Sequence, residues 1–503
     1  MSDLIPKGWV LGKTSDFVIN PKNDIVDGPF GANLKASEYQ LSGTPIIRLQ
    51  NIKRLRFIDK NIKFVSNEKA VELSRHSYNR GDIIITKLGD PLGLACIIPD
   101  SFQDGIIVAD LVRLRTNVHN FDKRYLTYVL NSPLLINQIN KNIKGTTRPR
   151  INLNIIRNLN IPITSIFEQK MISDKLDALL ARVDSIKFRL ENILEILKKF
   201  RQSVLISAFS GNLTEEWRSK NIELKPICLK EISEYWSCFY KKNKRKQPKL
   251  TLHMGDAIGG LPETWLDTNI GCVFDVHVGA TPSRNVKEYW DGDFPWVSSS
   301  EVAFCRIRST KEQITKLGLA KTSTNLHPAG TVMLAMIGQG KTRGQAAILD
   351  IEACHNQNTA ALRVPNGFVI SEFLYLFLEK QYEETRRIGG GNNQQALNKS
   401  FVQSLAFPLP PLEEQVEIVK NVEKLFHYSD SIQKKTNNAF LRINQITQSI
   451  LAKAFRGELT EQWREENPDL ISGFNSAEAL LQKISTEKLA SGTTKKIVKK
   501  VVR

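Results

Sequence analysis

The sequence predicts an α+β chain: two mixed α/β domains separated by two long helices that form an antiparallel coiled coil, within an internal pseudo-two-fold repeat. Three observations predict it. Gln202 opens QSVLISAFSGNLTEEWR and Gln448 opens QSILAKAFRGELTEQWR, with eleven of seventeen positions identical at an offset of 246. A gap-free match of that length marks a duplicated structural unit. Ahead of each copy lies an apolar run stepping by three and four residues, the spacing of a coiled-coil seam. Ahead of each run come short β-branched stretches bounded by Gly, Pro and Asp, which read as strands.

In chain order, strands are expected at Ile83–Thr86, Ala95–Ile98 and Leu111–Leu114, followed by one helix at Lys123–Leu130. The second half repeats this with Val332–Ile337, Ala346–Leu349 and a helix at Glu372–Leu378. Weaker echoes support the alignment: Pro6-Lys7-Gly8-Trp9 faces Pro262-Glu263-Thr264-Trp265, and Pro45-Ile46-Ile47 faces Pro295-Trp296-Val297. Gly81-Asp82-Ile83-Ile84-Ile85 likewise faces Gly330-Thr331-Val332-Met333-Leu334. Offsets drift between 248 and 256 there, so the loops differ in length, as expected where a shared scaffold carries variable specificity. The boundaries read as a first domain over 1–162, a helical region over 163–250, a second domain over 251–409 and a second helical region over 410–503.

The first seam runs Leu176, Leu179, Val183, Ile186, Leu190, Ile193, Leu197, Phe200, Val204. Ser165 to Glu168 has the pattern of a capping box at its start, and Gly211 that of a terminating glycine. The second follows Pro410-Pro411, with Glu413 and Glu414 in its first turn, where carboxylates suit the helix dipole. Its seam runs Val422, Leu425, Ser429, Ile432, Thr436, Ala439, Ile443, Ile446, Ile450, weakened by Ser429 and Thr436. Two seams in one chain bury each other most economically; packing on their own domains or dimerisation are the alternatives. Shorter helices are expected at Ile227–Tyr240 and Ser476–Leu489, and Trp9, Trp265, Trp217 and Trp463 as packing residues.

Seventy Lys+Arg against 52 Asp+Glu give a net charge of +18, which favours a polyanionic partner. No apolar run approaches the eighteen or so residues of a spanning helix, and the start has no signal pattern. Six scattered cysteines without a CxxC pair, and seven histidines without HxxxH or HExxH, argue against zinc or a disulfide framework and for a reducing cytoplasm. Gly338-Gln339-Gly340-Lys341-Thr342 imitates the end of a phosphate-binding loop, but Ala335 stands where its first glycine belongs. A strand–turn–strand with a polar tip is the better reading. The chain also lacks the Asp/Asn-Pro-Pro-Tyr/Phe string of adenine-N6 methyltransferases and any GxSxG. It reads as a binder.

The order of parts resembles the specificity subunit of type I restriction-modification enzymes. The resemblance is carried by Leu409-Pro-Pro-Leu-Glu-Glu-Gln415, Leu451-Ala-Lys-Ala-Phe-Arg-Gly-Glu-Leu-Thr460, Leu261-Pro-Glu-Thr-Trp265 and Gly145-Thr-Thr-Arg148, and covers essentially the whole chain. It implies two target-recognition domains held apart by an antiparallel coiled coil, each reading one half of a bipartite double-stranded DNA target. A helix of about 40 residues would span about 60 Å. The resemblance further implies two methylation subunits, which bind S-adenosylmethionine and methylate adenine, and two restriction subunits that use ATP and Mg. No cofactor is expected on this chain, and no catalytic residue. The pattern departs at Thr164-Ser165-Ile166-Phe167, where the second half has Pro410-Pro411-Leu412-Glu413.

Candidate base-reading residues are polar tips beside repeated strands: Arg48, Gln50, Asn51 and Lys53; Ser298, Ser299 and Ser300; Lys87 and Asp90; Gln339, Lys341 and Arg343. Arg pairs with guanine and Asn or Gln with adenine. Arg148 and Arg150, and Asn392 and Asn393 in the stretch to Gln395, read as phosphate or hinge positions. Each competes with being a solvated surface side chain. The basic run from Lys241 to Lys249 and the tail from Lys495 to Arg503 read as linker or phosphate contact. Two alternatives stay open: a coiled-coil scaffold with nonspecific DNA affinity, and the DNA-reading subunit of a methylation-only or phage-exclusion complex.

Overall fold

A computed structural model describes residues 5–30, 33–116, 121–143, 149–243, 259–338, 340–387 and 397–490. The chain divides into two compact units, one of residues 1–190 with 438–503 and the other of 191–437. Each combines one mixed domain with parts of both long helices.

In the first unit, four antiparallel strands lie in the order Ile25–Asp27, Leu111–Leu114, Ile83–Thr86, Ala95–Ile97. Their alternate residues Ile83, Ile85, Val112 and Leu114 are buried against the helix Lys123–Leu130 through Tyr125, Leu126 and Val129. A second four-stranded sheet has the order Lys63–Val65, Thr44–Ile47, Gly105–Ile107, Ser77–Tyr78, its central pair parallel. Val10–Lys13 pairs antiparallel with Asn160–Ile163, tying the start of the domain to its end. Short helices at Pro133–Asn140 and Leu153–Arg157 join the single expected one.

The second unit repeats this plan. Five strands run Asp275–Val278, Thr359–Arg363, Val332–Ala335, Ala346–Leu349, Cys305–Ile307, and three run Glu312–Ile314, Trp290–Val297, Cys354–His355. Leu266–Asn269 pairs with Ala406–Leu409. The helix Ser371–Arg387 extends well past the expected Leu378, with Phe373, Leu374 and Phe377 in the core. Val332–Ala335 and Ala346–Leu349 are antiparallel neighbours, so Gly338–Thr342 joins two strands, as the missing glycine required.

The long helices are Ile166–Phe209 and Leu412–Phe455, 44 residues each. Both end before a glycine in the left-handed region, Gly211 at φ 82° and Gly457 at φ 74°, where a side chain would be strained. Within the first unit, Ile172 and Leu176 near the start of one helix share a core with Leu451 and Phe455 near the end of the other. Within the second, Val204, Leu205 and Phe209 share a core with Ile418, Val419 and Val422. The helices therefore run antiparallel. Arg201 pairs across them with Asp430 and lies over the Phe426 ring at 4.6 Å.

The seam departs from strict spacing in two places. Ile186 and Ile446 are 46% and 47% exposed. Thr447 turns inward instead of Ile446, its hydroxyl donating to the Ile443 carbonyl at 3.1 Å. A straight helix drifts by about 20° per heptad, which carries a strict three–four pattern off the contact line. Ser429 and Thr436 are buried despite their polarity.

One contact explains why the repeated segments travel together. Glu168, fully buried in the first turn of the first long helix, accepts from Trp9 Nε1 (3.0 Å), Thr460 Oγ1 (2.6 Å) and Arg464 Nη1 (2.7 Å). Glu414, its counterpart, accepts from Trp265 Nε1 (2.9 Å), Thr214 Oγ1 (2.7 Å) and Arg218 Nη1 (2.5 Å). The Leu-Thr-Glu-x-Trp-Arg segment after each long helix thus clamps the start of the other. A buried carboxylate is tolerated only when paired and hydrogen-bonded, so the Trp, Glu, Thr and Arg are needed as a set. Ser165 does cap the first helix, its Oγ accepting from Glu168 N, but the Glu168 side chain serves the clamp instead of closing a capping box. The departure at Thr164 has a consequence here. Its hydroxyl gives Glu168 a fourth donor, which Pro410 cannot supply to Glu414. Trp9 and Trp265 are buried, while Trp217 and Trp463 are half-buried.

The trailing helices are Leu229–Lys242 and Ala477–Ala490. Ile232 and Trp236 pack into the second unit's core, and Leu480 and Ile484 into the first's. Among the described residues no helix is long and apolar enough to cross a membrane.

Candidate nucleic-acid interface

Strand direction decides which loops meet. In the first unit Asp27 and Thr86 end their strands where Leu111 begins the strand between them. Val108 N bonds the Ile47 carbonyl at 3.2 Å, bringing the end of Thr44–Ile47 to the same place. Lys87 N bonds Asp110 O at 2.9 Å, and Ile151 N bonds Lys87 O at 3.1 Å. Segments near residues 27–30, 47–51, 87–90, 108–110 and 150–151 therefore converge at one end of the domain.

The second unit repeats this connectivity. Asn356 N bonds Val297 O at 3.0 Å, Ala280 N bonds His355 O at 3.0 Å, and Leu397 N bonds Met336 O at 3.2 Å. A glycine is required at the same point in each. An added Cβ at Gly28 would stand 2.1 Å from the Val108 carbonyl carbon, and at Gly279 2.0 Å from the His355 oxygen. Backbone passes too close for any side chain.

Against this frame the candidates separate. Gln50, Lys53 and Asp90 are exposed, and Gln50 and Asp90 sit at the convergent end. Arg48 is half-buried, its Nη2 donating to Asn61 O at 2.6 Å. Arg150 is largely exposed, 3.7 Å from Asp110. Asn51 is fully buried: its Oδ1 accepts from Arg48 N and its Nδ2 donates to Ile58 O and Lys60 O. That amide shapes the turn, with both its hydrogens taken and the side chain buried away from any base edge, which corrects the reading of Asn51. Lys87 is also buried, ion-paired with Asp27 at 2.5 Å. Its charge is spent inside the domain.

In the second unit Ser298 caps the turn Ser299–Glu301, its Oγ donating to Glu301 Oε2 at 2.8 Å. Ser299 is half-buried and Ser300 exposed. Lys341 is exposed, and its carbonyl accepts from Tyr382 OH at 2.7 Å. Arg343 ties this turn to the helix behind it by donating to Arg386 O at 2.8 Å. Arg148, Gln339, Asn392 and Asn393 lie outside the described residues, as do Lys244–Lys249 and Lys495–Arg503.

Two features at these ends escaped the sequence reading. Phe30 is 56% exposed, with Lys87 Nζ 4.3 Å from its ring centroid. Arg284 lies 3.8 Å over the Trp290 ring and pairs with Glu312. Both follow the required glycines, in Asp27-Gly28-Pro29-Phe30 and Gly279-Ala280-Thr281-Pro282-Ser283-Arg284. Aligning Gly28 with Gly279, within the drifting offsets, would have exposed the pair.

Beneath the second end lies a buried polar chain. Arg363 Nε donates to His327 Nδ1 at 3.0 Å, so His327 carries its proton on Nε2 and donates to His355 Nε2 at 3.2 Å. His355 then donates from Nδ1 to Thr359 Oγ1 at 2.7 Å. The sequence of donors holds both rings neutral, and burial pushes the His355 pKa down to about 3. Arg363 also reaches Asp275, which bonds His277 at 2.7 Å. Burial alone would raise the Asp275 pKa, but these partners hold it below its ordinary value.

A layered α+β fold, a duplicated helical clamp and, in each unit, a strand-end cluster with its own side chains define a duplicated specificity-domain architecture. The family model described as "Type I restriction modification DNA specificity domain" matches residues 23–195 and 262–441, and the chain belongs to that family. It is thereby a non-catalytic specificity component of a type I restriction-modification system. It is 30% identical to the type I restriction enzyme StySPI specificity subunit of Salmonella potsdam, with 99% of each chain covered. To the EcoKI specificity subunit of Escherichia coli K12 it is again 30% identical, with 99% of each covered. To the EcoBI specificity subunit of Escherichia coli it is 33% identical, over 77% of this chain and 76% of that one. A solved structure described as "Structural basis underlying complex assembly and conformational transition of the type I R-M system" shares the fold. Its TM-score is 0.61 at 17% identity, covering 90% of this chain and 99% of that one.

Proposed function

We propose that each mixed domain reads one half of a bipartite double-stranded DNA target, and that the helical regions position two adenine-N6 methylation subunits and two restriction subunits around it. The observation that carries this reading is the strand-end cluster, repeated in its backbone bonds between the two units but differing in side chains. Equivalent frames with different polar fringes suit two different half-sites. The +18 charge supplies the sequence-independent attraction to phosphate. S-adenosylmethionine, ATP and Mg belong to the partner subunits, and the assembly works in the cytoplasm.

The test is a methylome. The chain is co-expressed with its methylation subunit in a host without adenine methylation, and the DNA is sequenced for N6-methyladenine. The expected result is a split motif with two specific halves and a fixed gap. No methylation, with both proteins co-purifying and the methylation subunit active beside another specificity subunit, would overturn the reading.

A further inference from the structure

We infer that Phe30 is a base-contacting residue of the first half-site, making apolar contact with a thymine methyl or an adjacent base face. This rests on the DNA-reading function proposed above. A phenylalanine 56% exposed is ordinary if it is merely loose on a surface; this one is held. Gly28 fixes the loop against backbone, since its missing Cβ would stand 2.1 Å from Val108. Pro29 follows with its φ locked by the ring. Beneath the Phe30 ring lies the Lys87 ammonium, 4.3 Å from the centroid, itself buried and neutralised by Asp27 at 2.5 Å.

The buried pair explains itself through this arrangement. Lys87 is kept from solvent, and the only use the described contacts give it, besides Asp27, is to seat the ring. A cation under one face of an aromatic ring fixes its position while leaving the other face and edge free. The ring is thus preorganised, and little side-chain freedom remains to be lost on binding.

Its location completes the argument. Phe30 stands at the convergent end beside Asp27, where the segments bearing Gln50, Asp90 and Arg150 also meet. An apolar side chain framed by polar and basic ones matches a base edge, where apolar contact recognises the thymine methyl and hydrogen bonds read its neighbours. The second unit differs: after the equivalent Gly279 its loop leads to Arg284, seated on Trp290 and paired with Glu312. The contribution of Phe30 is therefore confined to one half-site, and the other half serves as an internal control.

The experiment compares wild type, Phe30→Ala and Phe30→Leu, each as the full chain with its methylation subunit. Readouts are the methylome motif, the affinity for a duplex bearing that motif, and the salt dependence of binding. Phe30→Ala is expected to relax one or more positions of the first half only and to weaken cognate binding about tenfold to a hundredfold. The second half, the gap and the salt slope stay as in wild type, because no phosphate contact is removed. Phe30→Leu retains part of the preference. An unchanged motif and affinity in Phe30→Ala, with wild type giving its split motif, would overturn this inference alone. Absence of any split motif in wild type would overturn the reading beneath it as well.

Discussion

Removing Arg218 tests whether the glutamate clamp holds each unit together. In Arg218→Ala, Glu414 stays fully buried and keeps Trp265 and Thr214 as neutral donors, but loses its cationic partner among the described residues. Breaking a buried ion pair by removing one partner costs about 3–5 kcal/mol. Two donors remain, and the Arg218 side chain is 18% exposed, so water can enter the space it leaves. Both effects lower the expected cost to about 2–4 kcal/mol, or about 30- to 700-fold in a local opening equilibrium. Because the chain has two units, one global melting curve is the wrong measure. Hydrogen exchange read peptide by peptide is the suitable assay. Peptides spanning Pro262–Trp265 and Leu412–Gln415 should exchange faster by that factor, while those of the first unit stay unchanged. The mirror variant Arg464→Ala should cost less, because Thr164 leaves Glu168 with a third donor in addition to Trp9 and Thr460. An acceleration below about threefold in Arg218→Ala, or a larger loss in Arg464→Ala, would refute the reasoning.

Other outcomes follow from the same contacts. An unfolded histidine titrates near 6.5 and His355 in the fold near about 3, so between those values the unfolded chain binds the extra proton. The second unit should be fully stable above about pH 6.5 and lose stability progressively as pH falls toward 3; His355→Gln, measured by hydrogen exchange across pH, should flatten that slope. Gly28→Ala and Gly279→Ala should each destabilise their own unit by about 1–3 kcal/mol or more, because the new methyl meets backbone in both; denaturant titration with unit-resolved exchange would show it. Ser429 is fully buried and its hydroxyl has no partner among the described residues, and the equivalent residue in the first helix is Val183. Ser429→Val should therefore stabilise the second unit by about 1 kcal/mol, and a loss of stability in the same assay would contradict the packing described here.

Periodicity and repetition made the scaffold legible. The two seams, the stop glycines and the offset of 246 already contain both 44-residue helices, and the short strands emerge within a residue or two. These are local signals: helix and strand periods depend on neighbouring residues, and duplication shows itself by comparison alone. The antiparallel arrangement was an economical expectation, and it took the shared cores to decide it. The candidate interface was only partly legible. Proximity to a strand end singled out Gln50, Asp90 and Lys341, and the fold leaves these exposed, as it does Arg150, read as a phosphate or hinge position. The same rule also selected Asn51 and Lys87, which are buried because a turn needed an amide and Asp27 needed a cation.

The sequence by itself determined the repeat, the long helices, the basic charge and the family resemblance, since each is written in neighbouring residues or in their recurrence. Only the tertiary structure decided that the Thr and Arg trailing one helix hold the glutamate starting the other. It alone decided, too, that Phe30 stands outward on a buried cation. Those contacts join residues far apart in the chain, Thr460 with Glu168 and Lys87 with Asp27 among them, and no local pattern encodes which distant partner a buried charge will find.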